Sequence, residues 1–374
     1  MLKRIWSLTV KEFIHLRNDW WLPVFMLFGG VLELLLVAWA TSRPISNLPL
    51  MILDQDQSAA SREIVAALEK TGTFSLYAYV QSFDEIQDAL DRGKVNAVII
   101  IPSGFNEAIA TTGVQPTLAV ILNGAESIPA TEALRAIEGV TREIGEKIFI
   151  KKLGLKSQDL ASFNPSLRVW FNESLSEAYY TTPAELALML EFTVLLFAAL
   201  AFSRERELGT LEQLLVMPFT SLEIIIGKSI PVIIIGFFDF ILMLTMIHFA
   251  FGVPVRGSLV LLLVLAFGYL LVELGKGLVI SVISRTQHQA FLLVLLIGMV
   301  DFMFTGYAAP VESMPKVLQT IANIIPAHHW LVIVRGIMLK GSGLDILWPN
   351  VLALAILGLI IGSASLIYVR QALD

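Results

Sequence analysis

Six long apolar runs constrain this chain more than any other feature of its sequence. A membrane-spanning helix needs roughly 20 consecutive apolar residues, and six segments approach that length. Hydrophobic residues make up 56% of the 374-residue chain and charged residues 16%, a balance that excludes a soluble globular protein of this size. The sequence therefore predicts an α-helical polytopic membrane protein. The predicted spans are residues 20–40, 186–202 with flanking residues, 224–249, 259–283, 290–307 and 351–368.

Residues 42–182 interrupt this pattern and predict a soluble insert between the first and second spans. Strand-like and helical segments alternate there, which favours a small α/β domain. The predicted strands are residues 48–53, 74–80, 95–101 and 118–122; the helices lie near 58–69, 83–90, 104–110 and 129–153, and an irregular connector covers 154–183. Asp54 and Asp56 follow the first strand, but no histidine or further carboxylate clusters with them. We interpret them as solvated acids of a turn rather than as metal ligands.

The charges flanking the spans predict the orientation of the chain. Residues 3–17 form an amphipathic segment that predicts a helix in the membrane plane ahead of the first span, with Ile5, Leu8, Phe13 and Leu16 on its apolar face. The positive-inside rule then places both termini in the cytoplasm and the α/β insert outside. The cytoplasmic side would hold Lys3, Arg4, Lys11, Arg17, Arg204, Arg206, Lys228, Arg285 and Arg370, and the short outer loops Arg256, Lys316, Arg335 and Lys340.

A charged stretch at residues 203–228 separates the second and third spans. Thr210 with Gln213, and Thr220 with Glu223, have the spacing of a capping box, which satisfies the free N–H groups of a helix start. Residues 211–217 therefore predict a short helix, which Pro218 ends. Its leucines share one face, so we expect it to lie along the membrane surface. An ordinary interfacial turn between spans is the alternative interpretation.

Residues 310–349 predict a second irregular region near the end of the chain. An apolar face between Met314 and Ile325 is broken by Pro326, and a second helical pattern follows through Met338. Each piece is too short to cross a bilayer. Two short helices that re-enter the outer leaflet would satisfy their backbone groups internally.

The chain lacks residues that several classes of site require. It has no cysteine, which excludes disulfides, thiolate metal sites and cysteine nucleophiles. Residues 227–229 have the end of a phosphate-binding loop, but position 222 is leucine and no strand precedes it. Adjacent His328 and His329 point to different helix faces and make a poor metal pair. We expect no metal or other cofactor bound by this chain, and the net charge of −6 gives no reason to expect a nucleic-acid partner.

The charged stretch resembles the cytoplasmic coupling-helix region of type 2 ABC (ABC-2) exporter permeases, in which a glutamate-rich, Gly-Thr-Leu-Glu-type run docks into an ATPase subunit. The matching residues are Glu205, Glu207, Gly209, Thr210, Glu212, Leu214, Leu215, Pro218 and Lys228. Residues 326–341 also resemble the Pro-x-His and Arg-Gly-Ile-x-Leu-Lys-Gly run of the family's outer re-entrant helices. Residues 169–183 resemble its Trp-Phe-Asn-Pro run, except that Glu173 stands where proline is usual and Ala184 where glycine is usual.

This resemblance implies the permease subunit of a drug exporter in the bacterial inner membrane. Two permease chains, identical or different, would bind two ATPase subunits, which use ATP and Mg²⁺; membrane lipid and a periplasmic adaptor protein are further expected partners. The implied coupling residues are Glu205, Glu207, Gly209, Thr210, Leu211, Glu212, Leu214, Leu215 and Pro218. The implied domains are 1–41 (in-plane helix and first span), 42–182 (extracytoplasmic α/β domain) and 183–374 (five spans, with the coupling helix at 204–222 and outer re-entrant helices at 310–349).

Acidic residues inside the spans are candidates for a substrate path. Ionisable groups in a bilayer cost about 2.5–3.5 kcal/mol on insertion scales and by default indicate function. They could attract cationic or amphipathic compounds, or they could hydrogen-bond between helices. The candidates are Glu33, Glu191, Asp239 and Asp301, while Glu273 and Lys276 form an i, i+3 pair that would neutralise itself.

Two other classes of protein compete with the exporter. Buried acids could relay protons in a secondary transporter, but such a transporter gives no reason for the coupling-like stretch. An outer domain could bind the ligand of a receptor, but six spans and an interfacial cytoplasmic helix exceed what signalling requires.

Overall fold

The computed structural model describes residues 1–41, 45–111, 116–153, 170–173 and 176–373. The chain divides into two compact units, one formed by Met1–Arg43 with Arg168–Asp374 and the other by Pro44–Leu167. Most of the predicted connector at 154–183 lies outside the described residues. The helices are α1 (Leu2–Asn18), α2 (Trp21–Thr41), α3 (Ala59–Lys70), α4 (Phe83–Asp91), α5 (Phe105–Ala110), α6 (Ser127–Leu153), α7 (Glu177–Glu207), α8 (Leu211–Val216), α9 (Ser221–Phe251), α10 (Leu259–Ile283), α11 (Gln287–Phe304), α12 (Lys316–Ala322), α13 (Pro326–Arg335) and α14 (Leu344–Leu373).

Six of these helices are long and apolar enough to cross a membrane, as the sequence predicts. They are α2, α7, α9, α10, α11 and α14. The predicted domain boundary at residue 183 falls inside α7, which begins at Glu177. The polytopic, mainly helical fold is therefore confirmed.

Helix α7 forms the centre of the membrane unit. In its most apolar segment 83% of the residues are buried, against 11% for α14, so α7 is surrounded by other helices while α14 lies at the periphery. Gly277 lets α10 approach α7 closely, because a Cβ atom there would lie 2.4 Å from Cβ of Ala198 and 2.8 Å from the carbonyl oxygen of Leu195. Small residues at helix crossings drive association in a bilayer, where burial of apolar surface gives no advantage over lipid.

Two short helices occupy the predicted re-entrant region. The segments Lys316–Ala322 and Pro326–Lys340 meet at an angle of 83°. Pro326 begins α13, where a proline fits because the first helical N–H needs no partner. Trp330 of α13 is fully buried and stacks on Tyr269 of α10, with ring centroids 5.0 Å apart. This packing fixes α13 against the spans.

The second unit is an α/β fold around a four-stranded sheet in the order β2-β1-β3-β4. Strands β2, β1 and β3 are parallel, and β4 is antiparallel to β3. Leu50 and Ile52 of β1 face a core shared with α3 and α6, while Met51 and Leu53 face α4. All four strands confirm the sequence prediction; they are β1 (Leu48–Asp54), β2 (Phe74–Tyr79), β3 (Ala97–Ile101) and β4 (Ala119–Leu122).

Asp54 and Asp56 stabilise the turns at the carboxyl end of this sheet. Asp54 accepts hydrogen bonds from the backbone N of Asp56 and Gln57 at 3.0 and 2.8 Å. Asp56 accepts one from Asn106 N at 3.1 Å, at the start of α5. A hydrogen bond from Ser58, followed by those from this backbone, holds the pKa of Asp56 below its usual value. Both acids are therefore capping residues.

Candidate functional site: the charged stretch between α7 and α9

Two tight turns position α8 between α7 and α9. Gly209 ends α7 with φ +69°, a left-handed conformation that costs other residues about 1–2 kcal/mol. At the other turn, Glu223 N donates to the Thr220 hydroxyl at 3.3 Å, and Thr220 N donates to the Glu223 carboxylate at 2.9 Å. The predicted capping box at Thr220 and Glu223 is confirmed.

The predicted capping box at Thr210 and Gln213 is wrong. The Thr210 side chain caps no N–H of α8, and its hydroxyl donates instead to the carboxylate of Glu205. Thr210 also has φ −90° and ψ −10°, a helical conformation, whereas capping residues are usually extended. A hydrogen bond to a charged acceptor is stronger than one to a neutral group. The Thr210 side chain therefore adopts the rotamer that reaches Glu205.

Glu205 lies at the centre of a buried ion network. Its Oε1 atom is 2.5 Å from Nζ of Lys11 and 3.1 Å from Nζ of Lys228. Lys228 also lies 2.7 Å from Glu12 and donates to the carbonyl of Ala201 at 3.0 Å. Two acids and two bases balance in charge, which offsets the cost of removing them from water. The network joins α1, α7 and α9.

The N-terminal helix α1 packs against the start of α9. A Cβ atom at Gly227 would lie 2.6 Å from Cβ of Leu8, so only glycine allows this approach. The Thr9 hydroxyl lies 3.3 Å from the carbonyl of Gly227, and Arg4 donates to the carbonyl of Pro218 at 2.8 Å. The predicted apolar position Leu8 therefore contacts protein.

The two faces of α8 have different surroundings. Leu214 is 2% exposed and belongs to the chain's own core, so it is not available to fill a groove in another protein. Glu212 lies on the exposed face, and Val216 is 87% exposed at the helix end. The following Met217 is 49% exposed. An external contact would therefore use Val216 and Met217, which sequence reasoning missed because it assigned the apolar anchors to the leucines.

Glu207 and Arg206 connect residues 203–228, which we call the coupling stretch, to the loop between α10 and α11. The backbone N of Gln287 donates to Glu207 at 2.8 Å. Arg206 donates to the carbonyls of Val282 and Ser284 at 2.9 and 2.5 Å. The link between α7 and α9 and the link between α10 and α11 are thus bonded to each other.

A groove with a volume of about 400 Å³ runs between α1 and the coupling stretch. Leu8, Lys11 and His15 line it from α1, and Glu205, Leu214 and Met217 line it from the coupling stretch. Both walls therefore combine charged and apolar side chains.

Comparison with known proteins decides the family. The model of the ABC-2 family transporter protein matches residues 20–367. The chain belongs to the ABC-2 family. It is similar to the probable multidrug ABC transporter permease YbhR of Escherichia coli K12, at 29% identity over 99% of both chains, and to the inner membrane transport permease YhhJ of the same strain, at 28% identity over 96% of this chain and 94% of YhhJ. It is also 23% identical to ABC transporter G family member 20 of Dictyostelium discoideum, over 89% of this chain and 46% of that protein.

Inside the membrane unit of this ABC-2 permease, Lys276 connects three acids. Its Nζ atom lies 3.2 Å from Glu191, 2.8 Å from Glu273 and 2.8 Å from Asp301. The Tyr269 hydroxyl donates to Glu191 at 3.2 Å. Lys276 is therefore shared rather than paired with Glu273 alone, and the cluster links α7, α10 and α11.

The remaining predicted acids of the ABC-2 spans lie apart from Lys276. Asp239 is fully buried and accepts a hydrogen bond from Thr193 at 2.8 Å, while its Oδ1 atom has no hydrogen-bond partner within the described chain. Glu33 lies on the exposed side of α2. The four candidates differ in burial: Glu33 is exposed, whereas Asp239 is fully buried and Glu191 and Asp301 are 0% and 6% exposed.

The histidines of α13 make contacts typical of structural residues. Nδ1 of His329 lies 3.0 Å from Asn350, and Nδ1 of His328 lies 3.1 Å from the carbonyl of Thr305. Among the described residues, no group of three or more acidic or histidine side chains is arranged to hold a metal ion.

Proposed function

We propose that this ABC-2 permease is the membrane subunit of an ATP-driven exporter that moves drugs or other amphipathic compounds out of the cytoplasm or inner leaflet. ATP would be hydrolysed, with Mg²⁺, by a separate ATPase chain. Support comes from the family membership, from the word multidrug in the name of the relative YbhR, and above all from α8. The short helix exposes Glu212 and Val216, and its position is fixed by the contact with Glu205 and by the turn at Gly209.

The proposed coupling site has an inner and an outer part. Glu212, Val216 and Met217 would contact the ATPase, since their side chains are exposed. Glu205, Thr210 and Leu214 would act as positioning residues, because their contacts are made within the chain. A movement of the ATPase against the outer part would be transmitted to α1 and α9 through the ion network.

The orientation we propose has both termini in the cytoplasm and the α/β unit outside, in a bacterial inner membrane. The positive-inside rule supports it. Because the chain has no cysteine, single cysteines at the exposed positions Gln87 and Gln213 can be labelled with an impermeant thiol reagent on intact cells. We expect labelling at residue 87 only. Labelling at residue 213 with protection at residue 87 would reverse the orientation.

The proposed assembly contains two permease chains and two ATPase chains, with a periplasmic adaptor as a further partner. Co-purification followed by native mass spectrometry of the complex measures these copy numbers and tells a homodimer from a heterodimer.

We propose different roles for the four acids that the sequence indicated as a path for cationic or amphipathic substrates: Glu33, Glu191, Asp239 and Asp301. A charge on a lipid-facing surface is costly, so exposed Glu33 favours a water-filled path or a second permease chain beside α2. Asp239 has a free acceptor atom for a substrate. Glu191 and Asp301 are engaged by Lys276 and would instead hold α7 and α11 together.

Reconstitution in proteoliposomes tests the function. Uptake of a fluorescent amphipathic cation is measured with the permease alone, with the permease and its ATPase, and with a hydrolysis-deficient ATPase. We expect transport only in the second case. Transport by the permease alone, driven by a pH gradient, would favour the proton-coupled class and contradict the proposal.

A further inference from the structure

A cavity of about 170 Å³ lies in the membrane unit, at the end opposite the coupling stretch. It is enclosed by the start of α7, the loop after α11, and α13. Its polar lining consists of Tyr180, Glu312, His328 and Arg335, together with the backbone of the loop at Gly306.

Arg335 lines this cavity, and its hydrogen bonds within the described residues go only to neutral carbonyl groups. Its Nη1 and Nη2 atoms donate to the carbonyls of Gly306 and Tyr180 at 3.3 and 3.1 Å, and the guanidinium lies over the Tyr180 ring at 4.1 Å. Its Nε atom is buried and has no hydrogen-bond partner in the described chain. Within the same residues Arg335 forms no ion pair. A guanidinium has five N–H donors and matches the oxygens of a phosphate, so an anion would satisfy both its charge and Nε.

His328 and Glu312 add complementary groups to the cavity. The carbonyl of Thr305 can only accept, so Nδ1 of His328 donates to it and Nε2 is left for a ligand. Glu312 is exposed and makes no ion pair within the part of the chain that the structure describes. The cavity therefore offers a half-buried cation and an exposed carboxylate, a pairing that suits a zwitterion.

The surroundings of the cavity point to the membrane as the source of the ligand. The neighbouring helix α12 exposes Val317 at 73%, and the turn that follows it exposes Ile324 at 64%. Apolar side chains exposed beside a membrane span suit acyl chains, and the charged side chains in a partly apolar cavity at the end of α11 suit a headgroup. We propose that it binds a phospholipid whose phosphate carries a primary ammonium group, with the phosphate at Arg335 and the ammonium at Glu312. Free O-phosphoethanolamine shares this chemistry.

Lipid retention by the full-length permease tests the proposal. The purified chain is stripped of lipid and mixed with equal amounts of dioleoyl phosphatidylethanolamine, phosphatidylcholine and phosphatidylglycerol, and retained lipid is counted by native mass spectrometry. We expect at least tenfold preference for phosphatidylethanolamine. Arg335→Gln should remove retention, and Glu312→Gln should remove the preference over phosphatidylglycerol but keep phosphate binding. Lys316→Gln, a change at a nearby cation that does not line the cavity, should have no effect.

Two further measurements keep the outcomes distinct. Arg335 also holds the Gly306 and Tyr180 backbone, so the melting temperature of each variant is recorded; Glu312→Gln breaks no such bond and tests the proposal independently. Titration with O-phosphoethanolamine should displace the retained lipid. Equal retention of the three lipids, or an unchanged preference in Glu312→Gln, overturns the proposal. Binding of O-phosphoethanolamine without any retained lipid assigns the cavity to a soluble solute and overturns the lipid assignment.

Discussion

Lys228 of α9 and Glu12 of α1 form an ion pair at 2.7 Å across 216 positions of sequence. The side chain of Lys228 is 1% exposed, so this pair is enclosed by protein. Glu205 completes the network from α7. The start of the chain therefore contributes to the ion network beside the proposed coupling site.

Removing the charge of Glu205 is expected to destabilise the permease. Glu205→Gln leaves Lys11 without its acid and Lys228 with Glu12 alone. Breaking a buried ion pair from one side costs about 3–5 kcal/mol. The melting temperature in detergent should fall clearly. Asp19→Asn is the control, because the Asp19–Arg204 pair at 2.7 Å is largely exposed and such pairs contribute about 0–1 kcal/mol. Equal melting temperatures for the two variants would argue against a structural role of the network.

Substitutions at two positions of α8, Val216 and Leu214, should distinguish an effect on docking to the ATPase from an effect on folding. Val216→Asp places a charge at an exposed position, so we expect unchanged stability but weaker association with the ATPase. Loss of a central apolar anchor costs about 2 kcal/mol or more, close to a thirtyfold change in affinity. Leu214→Ala should instead lower the melting temperature, since large-to-small changes in a core cost about 2–5 kcal/mol. Full ATPase association of Val216→Asp in a pull-down would remove α8 as the docking surface.

A matched pair of glycines in α10 tests the helix crossing with α7. Gly277→Ala would place a methyl group 2.4 Å from Cβ of Ala198, and overpacking costs about 1–3 kcal/mol. Gly268→Ala meets no atom within 4 Å and should be neutral or stabilising. Unfolding in sodium dodecyl sulfate measures both. Similar stability of the two variants would contradict the close approach of α7 and α10.

Lys276 should be energetically coupled to its acids. Lys276→Gln leaves three buried carboxylates without their shared cation, and we expect reduced stability and transport. The double variant Lys276→Gln with Glu191→Gln should recover part of this loss. Contacting residues show interaction energies of about 0.5–3 kcal/mol in double-mutant cycles. Additive effects of the two substitutions would show that the 3.2 Å contact contributes nothing.

The α/β unit should lose local stability in acid because of Asp56. Folding lowers the pKa of Asp56 through its hydrogen bond from Ser58, so the ionised side chain stabilises the turn above its unfolded pKa, near 4, and this contribution is lost as pH falls through the folded value. We expect hydrogen exchange in α5, corrected for intrinsic rates, to accelerate as the pH falls from the unfolded pKa of Asp56 towards its lower folded pKa. Asp56→Asn should flatten that dependence, whereas Asp84→Asn, at an exposed position on α4, should not.

The elements that the sequence predicted correctly are those set by local patterns. Span length fixes the six membrane helices, and short apolar runs fix strands such as β1 and β3, which are buried on both faces. The Thr220 cap follows from spacing, because Glu223, its partner in both hydrogen bonds, lies three residues away. These signals depend on neighbours in sequence.

The features that the sequence did not predict depend on distant contacts. The spacing at Thr210 is correct for a cap, but Glu205 competes for the hydroxyl. Periodicity gave Leu214 an apolar face without telling whether that face meets lipid, another protein or the chain's own core. Lys11 was assigned only as a topology signal, and Lys228 as a topology signal and a residue matching the family; their ion-pair partners lie on other helices, so the sequence did not show them. Charges that interrupt apolar segments at the start of the chain and of a span were the available clue.

The bond between Glu207 and Gln287 limits how α8 can transmit force. Because Arg206 also bonds to the end of α10, the adjoining ends of α7, α10 and α11 are tied into one lever. A push at Val216 would then tilt three spans together instead of bending a single helix. The distance that the three spans move would depend on how far their joined ends rotate as a rigid body.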